Sequence, residues 1–274
     1  MAAPQDWGTI AYNQATESEN RIHADDVARK YGFRGGLVPG VTVYAYLVHP
    51  ALVAWGLDWL SRGAATVVLR KPIYDGDDFR VRVAVEKAHA YRSEVSDSIG
   101  VICADGRVSL PDVVPPAPAR RGDPLLTKGR ERPEATRTAL EQLGERGMGA
   151  LALEWRAQGE LDRYVRSPER EGVPVLVQSD GDGYANPAFS LGLANFVLAA
   201  NVRLGPWIHV ESEVQNHDAI PRGSRLVVES RVVELFEKSG HEFVDLDVAI
   251  FVEPERCVLT ARHRAIYRLR EPRA

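Results

Sequence analysis

Two cysteines in 274 residues, Cys103 and Cys257, lie far apart with no metal-ligand pattern around them. That scarcity excludes a disulfide framework and a cysteine-built metal site, and it points to a reduced cytoplasm as the expected setting. Basic clusters are missing too. The 34 Lys and Arg against 38 Asp and Glu leave a net charge of -4, which argues against a nucleic-acid partner. The opening Met1 to Gly8 has neither a charged n-region nor an apolar h-region, so no secretory signal is expected there. Membrane-length apolar sequence is confined to Gly36 to Leu60, whose single charge is Asp58. Pro39, His49 and Pro50 interrupt that run and strand-like sequence follows at once, so a buried helix is expected instead of a span.

What is present suits two domains of about 120 to 150 residues each, with 45% hydrophobic residues to fill their cores. Val81, Val83 and Val85 alternate with Arg80, Arg82 and Ala84, the period of a half-buried strand. Arg92 to Cys103 and Arg107 to Leu110 read as two further strands, with Asp105-Gly106 as the turn between them. Pro111 to Pro133 is rich in proline, glycine and charge, as in a solvated linker, and Ala135 to Arg146 reads as a short exposed helix.

The second half repeats the plan. A short strand over Leu151 to Ala157 is followed by the uncharged run Pro187 to Val202, which suits a second buried helix. Strand-like alternation returns at Val227 to Val233, at Val244 to Ile250 and at Leu259 to Leu269. Lys71 to Asp77 and Ala219 to Ser224 each place a proline-then-glycine turn before a long strand. Two such turns, each after an apolar helix, indicate an internal duplication. The expected architecture is therefore α+β, a tandem or double hotdog in which each antiparallel sheet wraps a central helix. The expected boundaries are residues 1–115, a linker over 116–147, and 148–274.

Asn20-Arg21-Ile22-His23, then Asp25, Gly32-Phe33, Leu37-Val38-Pro39-Gly40 and the strand approach Arg70 to Asp77 form a spaced series. Over roughly Asn20 to Val85 this series resembles the MaoC-like hydratase and dehydratase family. Two positions depart: the family's catalytic Asp is Ser18 here, and its His before the helix glycine is Pro39. The resemblance implies a hydro-lyase acting on an acyl thioester carried by coenzyme A or an acyl carrier, with no cofactor and no metal. His23 would be the general acid/base, since a proton-transfer group near neutrality is needed. The Gly40 N–H, at the start of a buried helix, would polarise the thioester carbonyl, and Asn20 would orient the site.

Serine does not titrate, so another carboxylate is needed. Glu19 is the first candidate, and Asp182, in the loop before the second helix, is the next. Ser18, Asp25, Pro39 and Tyr44 are expected beside the substrate. His49 reads as a hydrogen-bonded core residue, His209 and His217 form no metal pattern, and Arg262, Arg264 and Arg268 read as a solvated face. A hotdog thioesterase and a non-catalytic acyl-thioester binding protein are the alternatives. A homodimer is expected, because hotdog modules commonly pair.

Overall fold

Period-two alternation of Val, Ile and Phe builds the strands, and two apolar runs supply the helices those strands enclose. The computed structural model describes residues 2–156, 163–167, 170, 172–176 and 183–270. The first half runs β1 (Trp7–Ile10), a 3-10 turn (Arg21–His23), α1 (Asp25–Lys30) and α2 (Gly40–Arg62). Then come β2 (Ala64–Leu69), β3 (Asp78–Lys87), β4 (Ala90–Asp97) and β5 (Ile102–Ser109). After α3 (Arg137–Arg146) the second half runs β6 (Leu151–Glu154), α4 (Pro187–Asn201), β7 (Ile208–Asn216), β8 (Arg225–Lys238), β9 (His241–Val252) and β10 (Arg256–Arg268).

All ten strands form one antiparallel sheet in the order β1-β3-β4-β5-β2-β7-β10-β9-β8-β6. The order is the same read from either edge: β2 matches β7, β5 matches β10, and β1 matches β6. Both helices lie against this sheet and pack on each other. A helix covered on every side needs no polar stripe, and every residue of α2 from Val41 to Leu52 is buried. By length and composition α2 could cross a membrane, but most of it sits inside the protein core. The expected α+β double-hotdog architecture is the one observed.

One local expectation changes. Asp105 and Gly106 lie within β5, and the turn between β4 and β5 is at Asp97 to Val101, where Asp97 Oδ1 accepts from the Ile99 and Val101 N–H groups. Position 106 is glycine for a different reason: a Cβ there would run into the Thr66 carbonyl of β2. The linker is exposed along most of its length and is fastened at one point. Glu229, fully buried on β8, accepts from the N–H groups of Arg121, Gly122 and Asp123 at 2.8, 2.9 and 3.2 Å. Helix α3 is mostly exposed, as expected, with Thr136 capping it through Ala139 N–H at 3.2 Å and Leu140 and Leu143 turned inward.

A carboxylate holding three backbone donors loses all three at once when truncated. Glu229→Ala should lower unfolding free energy by about 3 kcal/mol in urea melts, and should expose residues 112–123 to limited proteolysis.

Candidate functional site

The site starts at a turn that one asparagine holds in place. Asn20 Oδ1 accepts from the Ile22 N–H at 3.3 Å, capping the 3-10 turn. The same side chain pairs with a backbone unit of the other half: Oδ1 accepts from Trp207 N–H at 3.2 Å, and Nδ2 donates to Trp207 O at 2.9 Å. Its remaining N–H lies 3.3 Å from His23 Nε2.

His23 ends that turn. Its Nδ1 is 2.7 Å from the Leu37 carbonyl. A carbonyl only accepts, so Nδ1 carries the proton and Nε2 keeps its lone pair. Burial pushes the ring down to about 4, outweighing the opposing pull of the Leu37 carbonyl. At neutral pH this is an uncharged imidazole with a basic nitrogen directed away from its anchor.

Helix α2 begins beside it. Pro39 is the N-cap residue and Gly40 the first helical residue. The Gly40 N–H has no acceptor within its own helix and sits at the positive end of the dipole. A Cβ at Gly40 would collide with Leu69 and with His209, so the close packing needs glycine.

Two chambers meet at Asn20, His23, Pro39, Asn195 and Trp207, which line both. The first, about 240 Å³, is walled by Phe33, Leu69, Arg70, Lys71 and His209. The second, about 410 Å³, is apolar and lined by Val41, Ala188, Phe189, Gly192, Phe196 and Leu204. The neck between them therefore brings together a base, a helix N-terminus and residues of both halves. A wider groove of about 700 Å³ lies elsewhere, over β2 and β7, and contains none of these groups.

The chain has the double-hotdog fold. No protein-family profile matches the sequence, and no curated protein resembles it in sequence. Among solved structures it is similar to a double-hotdog protein of Mycobacterium tuberculosis, with 14% identity, 97% of this chain and 96% of that one covered, and a TM-score of 0.57. A protein described as a MaoC domain dehydratase, from Chloroflexus aurantiacus, is similar at 10% identity over 97% of this chain and 96% of that chain, with a TM-score of 0.53. The TesB protein of Mycobacterium avium subspecies paratuberculosis is similar at 10% identity over 98% and 95%, again with a TM-score of 0.53. At these identities the likeness establishes the fold alone.

The double hotdog brings His23, Asn20, Pro39 and Gly40 to one place, with Ser18 and Glu19 on the wall of the second chamber. Ser18 Oγ donates to Asn20 O at 3.1 Å. Both Glu19 oxygens are taken by Arg132, at 3.0 and 3.3 Å, which ties its carboxylate to the linker side. Asp25 is not in the neck: it accepts from Gly36 N–H at 2.8 Å and pairs with Arg29 at 2.7 Å, shaping the turn ahead of Leu37. Tyr44 is also elsewhere, buried beside a separate small cavity with Trp59 and Asn216, and burial pushes its hydroxyl up. Asp182 lies outside the described residues.

His49 is a core residue stacked on Trp7, with Nδ1 2.8 Å from the Tyr164 hydroxyl. Arg262, Arg264 and Arg268 are paired with carboxylates of β7 and β9. Among the described residues no cluster of His, Cys, Asp or Glu could hold a metal ion. Sequence reasoning missed Asn195, Trp207 and His209, all supplied by the second half. One signal was available: Asn195 is a polar side chain in the middle of the largely apolar α4.

Buried neutral histidines make folding sensitive to acid. His49 and His263 are each pushed down to about 3 by burial, against about 6.5 in an unfolded chain. Below pH 6.5 the unfolded chain binds protons that the folded one refuses, so stability is complete above that pH and falls toward pH 3. The loss is at most about 1.4 kcal/mol per pH unit for each residue. Urea melts at pH 7 and pH 5 should show it, and NMR titration of His23 should give a midpoint near 4.

Proposed function

We propose that this protein adds water to, or removes it from, the C2–C3 bond of an acyl thioester held by coenzyme A or an acyl carrier. The observation that carries this reading is the neutral His23, with its Nε2 lone pair in a neck beside the Gly40 N–H and an apolar chamber beyond. The apolar chamber suits the acyl group, and the Arg70 and Lys71 side of the other chamber suits an anionic carrier. The family likeness traced from Asn20 to Val85, and the fold shared with a MaoC domain dehydratase, support the same chemistry.

In the hydration direction, water displaces the Asn20 N–H from His23 Nε2, which takes a proton from that water as the water oxygen bonds to C3. The π pair moves toward C2 and the thioester oxygen, where the Gly40 N–H stabilises the developing charge. The imidazolium then returns its proton to C2, leaving a 3-hydroxyacyl thioester and a neutral ring. One nitrogen thus serves as base and then as acid, which answers the lack of a carboxylate at position 18. A depressed ring pKa favours the base form before reaction and a fast return of the proton afterwards.

Short and medium 2-enoyl thioesters should lose their enone absorbance without release of free thiol. Thiol release with the double bond intact would instead identify a thioesterase, and binding without turnover a carrier protein. His23→Ala should lower turnover by about two to four powers of ten with the fold intact by circular dichroism. Ser18→Asp should raise hydration, because it adds a second titratable group to the wall that His23 shares.

A further inference from the structure

A line of buried polar side chains runs behind the neck, all of it from the second half. His209 Nε2 is 2.8 Å from Ser212 Oγ, and Ser212 Oγ is 2.8 Å from His263 Nδ1. His263 Nε2 is 2.8 Å from Asn195 Oδ1. The two imidazoles are stacked with centroids 4.3 Å apart. His209, Ser212 and His263 are 4%, 1% and 0% exposed, so none can exchange a partner for bulk water.

Counting protons fixes every bond in the row. An amide oxygen only accepts, so His263 Nε2 carries the hydrogen and His263 Nδ1 is bare. Ser212 has one hydrogen, which it must give to that bare nitrogen, and its oxygen therefore accepts from His209 Nε2–H. His209 Nδ1 is left as a bare lone pair, buried and without a hydrogen-bond partner among the described residues. Both rings are neutral, since burial drives each one down. At the other end of the row, the carbonyl of Asn195 is committed to His263. Its NH2 group has no acceptor within hydrogen-bond distance among the described residues, and the residue lines both chambers beside His23 and Pro39.

We propose that Asn195 Nδ2 is a second donor to the thioester carbonyl, acting with the Gly40 N–H, and that His263 is the positioning residue that locks the amide with its N–H groups toward the neck. The inference rests on the acyl-thioester reading and deepens it. It gives the second half a direct part in the reaction, since a carbonyl oxygen that gathers charge is best held by two donors fixed before reaction starts. The row behind Asn195 supplies that fixing. A flipped amide would set an N–H against the His263 Nε2–H unless every proton in the row moved too.

The test uses hexanoyl-CoA labelled with ¹³C at the thioester carbonyl, which binds but has no double bond to hydrate. Its carbonyl stretch should fall in frequency on binding to the wild-type protein. That fall should shrink in Asn195→Ala and in Asn195→Asp, the second of which keeps an acceptor for His263 but offers no N–H. With 2-enoyl thioesters, both variants should lose about a hundredfold to a thousandfold in kcat with KM changed far less. His263→Phe, which frees the amide to rotate, should give a smaller loss. Nitrogen-15 NMR should find His263 protonated at Nε2. Protonation at Nδ1, or a carbonyl stretch equally lowered in both Asn195 variants, would overturn the role of Asn195 and leave the thioester reading standing. Failure of the wild-type protein to bind the hexanoyl thioester on either coenzyme A or an acyl carrier would overturn both.

Discussion

Every other feature depends on the hydrogen-bonded seam between β2 and β7. Ala64 pairs with Gln215 and Val68 with Glu211, so two five-stranded sheets become one surface. The seam also fixes the helix that precedes it. Asn216 Nδ2 donates to Trp59 O at 2.9 Å and Asn216 N–H to Gly63 O at 2.8 Å, tying the end of α2 to the opposite half. With the sheet continuous, α2 and α4 must lie side by side, and their facing surfaces become the walls of a shared cavity. A shift of one residue along the seam would turn Ala65 and Val67, both buried, out to solvent, so the register is strongly held.

The polar groups at and behind the neck are neutral. His23 is held by a carbonyl, Asn20 by a backbone unit, and His209 and His263 by a serine and an amide. The carboxylates on the cavity walls are at its margin, and Glu19 is already paired with Arg132. Neutral dipoles fixed in a low-dielectric setting act strongly on charge that appears only during reaction, without the desolvation cost of burying ions beforehand. Under the proposed chemistry, the hydrogen bonds that fix the rings bear on both folding and reaction.

The fold was largely legible because it follows from local pattern: two runs too apolar to lie on a surface, and valine-rich alternation on either side of them. The first half of the site was legible for a related reason. His23, Asn20, Pro39 and Gly40 lie within 21 positions of one another, so their spacing survives in one dimension. Asn195, Trp207 and His209 belong to the same cavity but stand more than 170 positions from His23, and only the seam brings them near. Tyr44 misled because a helix covered all round gives no sign of which side meets the cavity. Gly106 misled because a glycine required by a neighbouring strand looks the same in sequence as a glycine in a turn.

Fusing the two halves also changes what one substitution can do. In a symmetric pair of separate chains, every side chain is present twice, and an altered residue appears in both sites at once. Here the two-fold relation survives in strand order, but Asn20 meets Trp207 and Asn195 meets His263 once only. Each half is thus free to keep one kind of group and discard the other. The covalent link removes the need to find a partner at each encounter, so this division of labour holds at any protein concentration.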